Sequence, residues 1–559
     1  RPEARGLFVI LPVLLKFWTI LAAIAIGLLL GAAPVLDPDE GRNAEVGREM
    51  AATNDYVVPH LDGLPYLDKP VVYFAAEAGA MEVLGPTELA ARLPAYLFTL
   101  ATAAVVFWFA RKLWGIDEAC VATIAFLSMP LTIAFARTVI FDSALSFFIV
   151  VAIVSFYFAV EADVGPTLSR TRPAGESARH WSTLAWLSIG LGVLTKGPVA
   201  IALPLFVALP YAIWRKRGSK IWSIAGLILF VAVITPWVVA VQKVVPDFLR
   251  YVLVTETVQR LTTGALRRTG PPWYFIPYLI GGGLPWSIVA IANWRRTRDR
   301  ETVFLLLWIL VPFVFFSISQ SKRPQYIVPV MPGLALLVAR DLRLRAAAIV
   351  LAIFGAILIA APLVPQFSQK MDPGIVVPAR EAAYILGALL LAGGLVAALI
   401  KRRDIAVMAL SFPILAIPLV TMPLMKSLGE RRSAKSFVAQ LAPYVTPHVK
   451  VVGVEAFTGS MTFYLRQPIV VASDNGEEFT SNYVIRHYPQ FSAAPASALK
   501  PTRWLRETID GCCAVRLYVV RDQDAKSRAM LESRGARVIA TGPHYVAYAP
   551  RLGGVNRMQ

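Results

Sequence analysis

Cysteine and histidine are scarce in this 559-residue chain, and each shortage argues against a class of protein. The three cysteines, Cys120, Cys512 and Cys513, provide neither a disulfide framework nor the ligand spacing of a zinc site. The five histidines are scattered, so the composition predicts no metal centre. The chain contains no repeat or low-complexity tract, and its C-terminal part has no glycine-rich phosphate loop.

Hydrophobic residues are abundant instead, at 57% of the chain. They lie in segments of about 18–25 residues, the length that crosses roughly 30 Å of hydrocarbon. The first segment is too long for the core of a signal peptide and is predicted to be a retained helix. We predict an all-α polytopic membrane domain with thirteen spans, at about residues 8–33, 89–110, 118–136, 139–160, 182–195, 197–214, 221–242, 274–294, 302–319, 326–340, 345–365, 382–400 and 404–424.

The net charge of +19 is concentrated in every second loop. By the positive-inside rule these basic loops and the N-terminus are cytoplasmic, so the charge sets the orientation and requires no nucleic-acid partner. The basic loops are RKLWGID (111–117), SRTRPAGESARH (169–180), RKRGSK (215–220), RRTRDRE (295–301), RDLRLR (340–345) and KRRD (401–404).

The other loops face outward, and the longest are 37–88 and 243–273. Because the span count is odd, the C-terminal tail also faces outward. Short β-branched runs alternate with helical patterns, which is typical of a small α/β domain. They predict five strands, at 449–455, 468–473, 515–520, 537–541 and 544–549. We therefore predict two domains, a membrane domain at 1–428 and an outward-facing α/β domain at 429–559.

Carboxylates lie at the outward membrane boundary. Asp39 and Glu40 follow the first span, and Asp142 lies about three residues inside the fourth. A carboxylate at that depth is costly unless it faces a partner or a cavity. A carboxylate there is suited to act as a general base toward an acceptor hydroxyl or phosphate.

Cations lie at the same boundary, in Lys196, Lys322 and Arg323. Cations stabilise a phosphate, and a cation that gathers charge developing on a leaving phosphate lowers the barrier to glycosyl transfer. The outward face therefore predicts a site for a lipid-linked sugar phosphate.

Structural roles are the alternative for each of these residues. Asp39 and Glu40 are suited to cap a helix, and Arg42, Glu45 and Arg48 are spaced to form surface ion pairs. Lys69 precedes a proline and is suited to extend its charge to the membrane surface.

At these residues the chain resembles a known family. PDEGRNAEVGREM and DYVVPHLDGLPYLDKPVVYF (38–50 and 55–74) resemble the first outward loop of the bacterial 4-amino-4-deoxy-L-arabinose transferases that modify lipid A. This family belongs with the protein O-mannosyltransferase-like C-superfamily of membrane glycosyltransferases. The likeness continues in RTVIFDSALSFF (137–148), GVLTKGPVAIALPL (192–205) and FFSISQSKRPQYIVPVMPGLALL (315–337).

The resemblance implies thirteen membrane helices, amphipathic helices in the first periplasmic loop and a periplasmic α/β domain. It implies an inverting transfer of aminoarabinose from undecaprenyl phosphate to a lipid A phosphate at the bacterial inner membrane, a modification linked to polymyxin resistance. It implies Asp39 as the leading catalytic carboxylate and Asp142 as a second. The candidate substrate-binding residues are Glu40, Arg42, Lys69, Lys196, Arg260, Lys322, Arg323 and Tyr326.

The chain departs from the family at Asn43, Asp68 and Thr257, where relatives usually have Tyr, Glu and His. The Glu and the His are associated with a bound zinc in the family. We therefore expect an enzyme that requires no cofactor. If a structural zinc is bound, the candidate ligands are His60, Asp68 and Glu256.

Several alternatives remain open. A related transferase would use galacturonic acid, mannose or arabinose and act on lipopolysaccharide or protein. A lipid-sugar transporter would need midplane charges or paired repeats, which the chain lacks. A sensor or assembly protein would leave the outward charges without a role. The expected partners are the lipid-linked donor, lipid A or another lipid acceptor and membrane lipids, with no nucleic acid, and the protein is expected to be a monomer.

Overall fold

Helices form along the long apolar runs, and a small sheet forms near the C-terminus. The computed structural model describes residues 3–162, 174–252, 270–293, 299–340, 342–369, 371–446, 448–509 and 516–550, with the backbone alone at 3–12, 174–176 and 293.

The helices up to residue 293 overlap the first eight predicted spans. They are α1 (Glu3–Gly27), α2 (Asp39–Thr53), α3 (Val72–Leu84), α4 (Glu88–Trp114), α5 (Ile116–Leu127), α6 (Pro130–Ala136), α7 (Asp142–Glu161), α8 (Ala174–Lys196), α9 (Val199–Trp214), α10 (Ile224–Val244), α11 (Phe248–Arg250), α12 (Phe275–Gly282) and α13 (Trp286–Asn293).

The remaining helices begin at residue 300, and those after residue 415 are short. They are α14 (Arg300–Ile318), α15 (Met331–Arg340), α16 (Leu344–Ala360), α17 (Gln366–Gln369), α18 (Pro373–Leu399), α19 (Arg403–Leu415), α20 (Ile417–Val420), α21 (Met422–Arg432), α22 (Lys435–Leu441), α23 (Gly459–Leu465), α24 (Asn482–Arg486), α25 (Tyr488–Ala493), α26 (Thr502–Thr508) and α27 (Ala525–Ser533). Short 3-10 turns occur at Gly218–Ile221, Pro272–Tyr274, Pro324–Val330, Ala361–Leu363, Ala442–Tyr444 and Glu477–Phe479.

The strands lie in two sheets. A two-stranded hairpin occurs in the first outward loop, and a six-stranded sheet occupies the C-terminal part. The strands are β1 (His60–Leu61), β2 (Leu64–Pro65), β3 (Lys450–Val454), β4 (Val470–Ala472), β5 (Leu499–Lys500), β6 (Arg516–Arg521), β7 (Arg537–Thr541) and β8 (Tyr545–Ala549).

The chain divides into two compact units. The first comprises Arg1–Leu30 and Arg92–Leu424, and the second comprises Gly31–Ala91 and Met425–Gln559. The first outward loop is thus grouped with the C-terminal residues. The predicted boundary between residues 428 and 429 concerns which parts of the chain fold independently. The division into two units does not test this, so the boundary stays a prediction.

The first unit is built around α7. Its sequence is apolar on every side after Asp142, and almost all of its residues are buried. An all-round apolar helix belongs in the interior of a bundle, and α7 packs against α8 and α9. In contrast, α10 leaves Ile224, Ile228 and Val231 exposed, as a lipid-facing helix does.

The first unit contains many helices suited to cross a membrane. Within the described ranges, seven helices are long and apolar enough, or nine if each of two bent pairs counts as one span. The bent pairs are α5 with α6, at 68°, and Pro272–Gly282 with Trp286–Ala292, at 107°. All thirteen predicted spans overlap helices, so a mostly helical membrane architecture is confirmed.

The second unit contains a sheet of strand order β5-β4-β3-β6-β8-β7. The first four strands are parallel, and β8 is antiparallel to both β6 and β7. The five strands predicted from β-branched runs are confirmed. The prediction missed β5, because two residues show no alternating pattern.

The first outward loop contains two helices, as the resemblance implies, and only α3 buries a single face. It buries Tyr73, Phe74, Glu77, Ala78 and Met81. The expectation of an amphipathic helix is wrong for α2, which is buried without interruption from residue 40 to residue 50 although it is rich in charge.

Glycines let α16 and α18 pack closely. A Cβ atom on Gly355 would lie 2.4 Å from the backbone nitrogen of Leu391 and 2.6 Å from the carbonyl oxygen of Gly387. Small residues at such contacts allow membrane helices to approach each other.

We expect Gly355→Ala to separate α16 from α18 and to destabilise the protein by about 1–3 kcal/mol. Thermal unfolding in detergent measures the effect. The control is Gly281→Ala in α12, where a Cβ atom would meet nothing within 4 Å. Equal unfolding temperatures for the two variants would contradict the packing argument.

Candidate functional site

The predicted site residues are divided between the two units, and each group is described by itself. The second unit contains Asp39, Glu40, Arg42, His60, Asp68 and Lys69. The first unit contains Asp142, Lys196, Lys322, Arg323 and Tyr326. Two further predicted residues, Glu256 and Arg260, lie outside the described residues.

Asp39 is the first residue of α2, and its carboxylate remains accessible. Its side chain is 31% exposed, whereas the neighbouring side chains of the helix are buried. Its Oδ1 accepts a hydrogen bond of 2.7 Å from Nη2 of Arg42. The carboxylate of Glu40 accepts from the backbone N–H of Leu36, which ties the first turn to the preceding segment.

Arg42 orients Asp39 from a buried position. Its Nη1 donates to the carbonyl oxygen of Thr480 at 3.2 Å and to the hydroxyl at 2.7 Å. Its guanidinium lies 5.8 Å from the centre of the Tyr66 ring. These contacts fix the guanidinium before any ligand arrives. The predicted role in phosphate binding stays a prediction.

A buried ion pair follows on α2. Nε and Nη2 of Arg48 donate to the two carboxylate oxygens of Glu45 at 2.7 and 2.8 Å, and both residues are buried. The surface-pair alternative is therefore wrong for these residues, because the helix has no solvent-facing side here. Removing one partner of such a pair typically costs about 3–5 kcal/mol.

Asp68 and Lys69 are both buried. The carboxylate of Asp68 accepts from the backbone N–H groups of Asn482 and Tyr483, each at 3.0 Å. The ammonium group of Lys69 donates to the carbonyl oxygen of Asp68. The side chain of Lys69 is 9% exposed, so its charge does not extend to the surface as the alternative required.

Two of the candidate zinc ligands, His60 and Asp68, have other partners, and the third, Glu256, lies outside the described residues. Nδ1 of His60 lies 3.8 Å from the carboxylate of Asp55, and Asp68 is occupied by backbone amides. Among the residues that the structure describes, no group of three or more His, Cys, Asp or Glu is placed to hold a metal ion.

In the first unit Asp142 and Lys196 satisfy each other. The ammonium group of Lys196, at the end of α8, donates to Oδ1 of Asp142, at the start of α7. It also lies 5.1 Å from the ring centre of Phe141 and 4.8 Å from that of Tyr326. Cation–π contacts of this kind strengthen when they are desolvated. The second oxygen of Asp142 has no hydrogen-bond partner among the described residues.

Lys322 is positioned as a helix cap. Its ammonium group donates to the carbonyl oxygens of Phe316, Ser317 and Ser319 at 3.0, 2.6 and 2.6 Å. An ammonium group has three donors, and all three are used at the C-terminal end of α14. A phosphate would have to displace at least one of these carbonyls.

Two further predicted residues lie close to Lys322 in sequence. The hydroxyl of Tyr326 lies 3.2 Å from that of Ser321, and its ring packs against those of Phe275 and Phe316. Arg323 is half-buried, directly before the turn at Pro324–Val330.

Asp37 is a site residue that sequence reasoning did not select. Its carboxylate accepts from the backbone N–H of Ser460 at 3.1 Å and from the hydroxyl of the same residue. Burial raises the pKa of Asp37 to about 6. A cavity of about 280 Å³ adjoins it, lined also by Arg432, Thr458 and His544. The sequence carries no signal for this contact, since the partner lies 423 residues away.

Glu77, on α3, is a second carboxylate that sequence reasoning did not select. It is fully buried, and neither carboxylate oxygen has a hydrogen-bond partner among the described residues. Burial raises the pKa of Glu77 well above its usual value, and the nearby charge of Glu40 adds to this. Glu77 packs against Gly47 of α2, where a Cβ atom would lie 2.7 Å from its own Cβ. It therefore packs between the two helices.

Known proteins resemble the chain in sequence. A family model described as dolichyl-phosphate-mannose-protein mannosyltransferase matches residues 36–252. The undecaprenyl phosphate-alpha-4-amino-4-deoxy-L-arabinose arabinosyl transferase of Serratia proteamaculans is 32% identical over 410 residues, which are 69% of this chain and 72% of that protein. The protein of the same name from Aeromonas salmonicida is 33% identical over 318 residues, and the match spans 56% of each chain.

Solved structures resemble it over nearly the whole length. ArnT from Cupriavidus metallidurans bound to undecaprenyl phosphate is 26% identical, covers 98% of both chains and gives a TM-score of 0.83. The apo state of the same protein gives a TM-score of 0.80.

The raised pKa of Asp37 predicts how stability depends on pH. A carboxyl whose pKa is higher in the folded state stabilises the fold fully below its ordinary value of 3.8, and this contribution is lost as pH rises through about 6. Asp37→Asn stays neutral at every pH. We therefore expect its free energy of unfolding to rise relative to that of the wild type when the pH is raised from 4.5 to 7.5. The gain is at most about 3 kcal/mol, since one pKa unit is worth about 1.4 kcal/mol. Unfolding of both proteins in detergent at pH 4.5 and at pH 7.5 measures this gain. The same difference in unfolding free energy between variant and wild type at both pH values would contradict the prediction.

The cap formed by Lys322 makes a second prediction. We expect Lys322→Met to destabilise the protein by about 2–3 kcal/mol, because hydrogen bonds from a charged donor are lost, and to leave the KM for the donor nearly unchanged. The control is Lys401→Met, at an exposed lysine of a basic loop. Unchanged stability with a raised KM would instead assign Lys322 to phosphate binding.

Proposed function

Because the chain belongs to the family of undecaprenyl phosphate-α-4-amino-4-deoxy-L-arabinose arabinosyl transferases, we propose that it transfers 4-amino-4-deoxy-L-arabinose from undecaprenyl phosphate to a phosphate of lipid A. The observation that carries this proposal is the likeness to ArnT bound to undecaprenyl phosphate over 98% of both chains. The 32% identity to the transferase of Serratia proteamaculans over 72% of that protein supports it.

The reaction we propose is a single inverting displacement. An oxygen of the acceptor phosphate attacks C1 of the sugar from the face opposite the leaving group. The bond between C1 and the oxygen of undecaprenyl phosphate breaks, and the electron pair leaves with undecaprenyl phosphate. A proton carried by the acceptor phosphate passes to a carboxylate, and no cofactor is required.

Asp39 is the proposed proton acceptor. Its partial exposure allows an acceptor to reach it, whereas Glu40 and Glu45 of the same helix are buried. The contact with Arg42 holds the carboxylate in one orientation. A general base in a fixed position contributes roughly 10²–10⁴-fold to a rate.

Lys196 is the proposed cation for a phosphate group. Asp142 and the rings of Phe141 and Tyr326 hold its ammonium group in place. A preorganised charge of this kind does not have to reorganise during the reaction, which is the property that makes electrostatic catalysis effective. Arg42, Lys69, Arg260 and Arg323 are retained as proposed substrate-binding residues.

The finer topology is part of the proposal. We propose thirteen spans in the bacterial inner membrane, with loop 37–88 and the C-terminal sheet on the periplasmic side. The basic loops alternate with the charged outward loops along the chain, which supports this orientation. We propose that the protein acts as a monomer.

A second candidate function follows from the match at residues 36–252 to a dolichyl-phosphate-mannose-protein mannosyltransferase model. In this case the donor would be another polyprenyl-phosphate sugar, such as mannose or galacturonic acid, and the acceptor would be lipopolysaccharide or a protein. The reaction type and the role of Asp39 would be the same.

Expression in an aminoarabinose-competent host that lacks its own transferase tests the proposal. We expect the lipid A mass spectrum to show added aminoarabinose with the wild type and none with Asp39→Asn, because the amide cannot accept the proton. A matched control is Glu82→Gln, an exposed carboxylate of the same loop that should leave the modification intact.

Unmodified lipid A despite wild-type protein in the membrane would contradict the proposed sugar or acceptor, and other polyprenyl-phosphate sugars would then be supplied. Full modification with Asp39→Asn would remove Asp39 from the reaction while leaving the transfer in place.

A further inference from the structure

The C-terminal sheet has a position where sheets of this kind usually bind a ligand. From β3 the chain adds β4 and then β5 on one side, and it returns to add β6 on the other side of β3. The strand order therefore reverses between β3 and β6. In open sheets with parallel strands, ligands bind outside the carboxyl ends of the strands at such a reversal. The loop that leaves β3 there leads into α23, which begins at Gly459.

The chain's own first outward loop lies at this position. The carboxylate of Asp37 accepts both the backbone N–H and the hydroxyl of Ser460, at the start of α23. The backbone N–H of Asp37 donates to the carbonyl oxygen of Arg432 at 2.7 Å, and Nη2 of Arg432 donates back to the carbonyl oxygen of Asp37. An aspartate carboxylate thus lies where an anionic ligand would otherwise bind.

Two glycines bring the backbones together at this contact. A Cβ atom on Gly459 would lie 2.3 Å from the backbone nitrogen of Arg42, and one on Gly41 would lie 2.5 Å from that of Ser460. No side chain larger than hydrogen fits at either position without moving backbone. The start of α2 and the start of α23 therefore form one close-packed junction.

Further charged side chains of the loop bond to C-terminal residues. Asp62 accepts from the backbone N–H of Ile469 at 2.7 Å, and Asp68 accepts from the N–H groups of Asn482 and Tyr483. Arg42 donates to Thr480. All of these partners come from the segments that follow β3 and β4, so the loop is bonded to the sheet at several points.

We propose that the C-terminal sheet is a scaffold that positions loop 37–69 and that Asp37 is the positioning residue that places Asp39 for transfer. This inference rests on the proposed function, since it assigns a role to a residue near the proposed base. In this proposal the C-terminal sheet contributes to the reaction without binding a ligand itself.

The short distance along the chain makes this role specific. Asp37 is two residues before Asp39, so any shift of the Asp37 carboxylate moves the first turn of α2 directly. A displacement of about 1 Å at a reacting group can cost about 10²-fold in rate. The proposed substrate-binding residues outside this turn would be unaffected, so the loss should fall mainly on kcat.

The test compares Asp37→Ala with Asp37→Asn in the full-length purified protein. The alanine removes the acceptor for the Ser460 N–H, whereas the asparagine keeps an acceptor for the N–H and a donor for the hydroxyl. The control is Asp524→Ala, which removes a carboxylate that accepts the backbone N–H of Ser527 in the same sheet unit. The readouts are kcat and KM for undecaprenyl-phosphate aminoarabinose, and hydrogen exchange of residues 37–53.

We expect Asp37→Ala to lower kcat by about 10- to 100-fold, with KM within about twofold, and to speed exchange at 37–53. We expect Asp37→Asn to recover kcat to within about threefold of the wild type and Asp524→Ala to change neither readout. Wild-type kcat and exchange in Asp37→Ala would overturn the proposal. So would an Asp37→Asn variant as impaired as the alanine, because the charge and not the bond would then matter.

If Asp37→Ala does not fold, Gly459→Ala disturbs the same junction, with Gly79→Ala as the control at an open helix position. Faster exchange at 37–53 and a lower kcat only in Gly459→Ala support the proposal, and equal behaviour of the two overturns it. If the wild type transfers no aminoarabinose, the proposed function fails. The exchange comparison then still decides whether Asp37 anchors the loop.

Discussion

Buried or half-buried carboxylates that accept backbone N–H groups are the constraint on which the second unit depends. Asp37, Asp62 and Asp68 each bond to a backbone amide contributed by residues 460–483. A buried carboxylate is tolerated only when such bonds replace its lost hydration. The loop and the sheet therefore satisfy these groups for each other.

This constraint explains how α2 can be rich in charge and still be buried. Glu45 and Arg48 neutralise each other within the helix, and Glu49 accepts the backbone N–H groups of Asp62 and Gly63. Asp39 remains as the carboxylate of the helix that is about one third exposed. A rigid, internally paired helix that presents one accessible carboxylate is the arrangement that a general base requires.

Much of the fold could be predicted from the sequence, because hydrophobicity and β-branching are local signals. The thirteen apolar segments overlap helices, and five strands lie where β-branched residues cluster. The expectation of an amphipathic α2 was wrong, because most of its charges pair within the helix or with the hairpin that follows it. Arg42 in addition bonds to Thr480, 438 residues away, and such a contact leaves no local pattern. The sequence indicates that a charge such as that of Asp142 is costly at its membrane depth without a partner. Only the fold shows that Asp142 and Lys196 pair with each other. The three carbonyl contacts of Lys322 likewise depend on how the chain turns after α14.

The central claim is a single displacement at C1 of a sugar carried on undecaprenyl phosphate. The most direct measurement is the anomeric configuration of the product, determined by NMR after the purified protein acts on undecaprenyl-phosphate aminoarabinose and lipid A, with released undecaprenyl phosphate quantified in parallel. We predict an inverted configuration and one undecaprenyl phosphate released for each sugar transferred. Retention of configuration, or release without transfer to lipid A, would contradict the account.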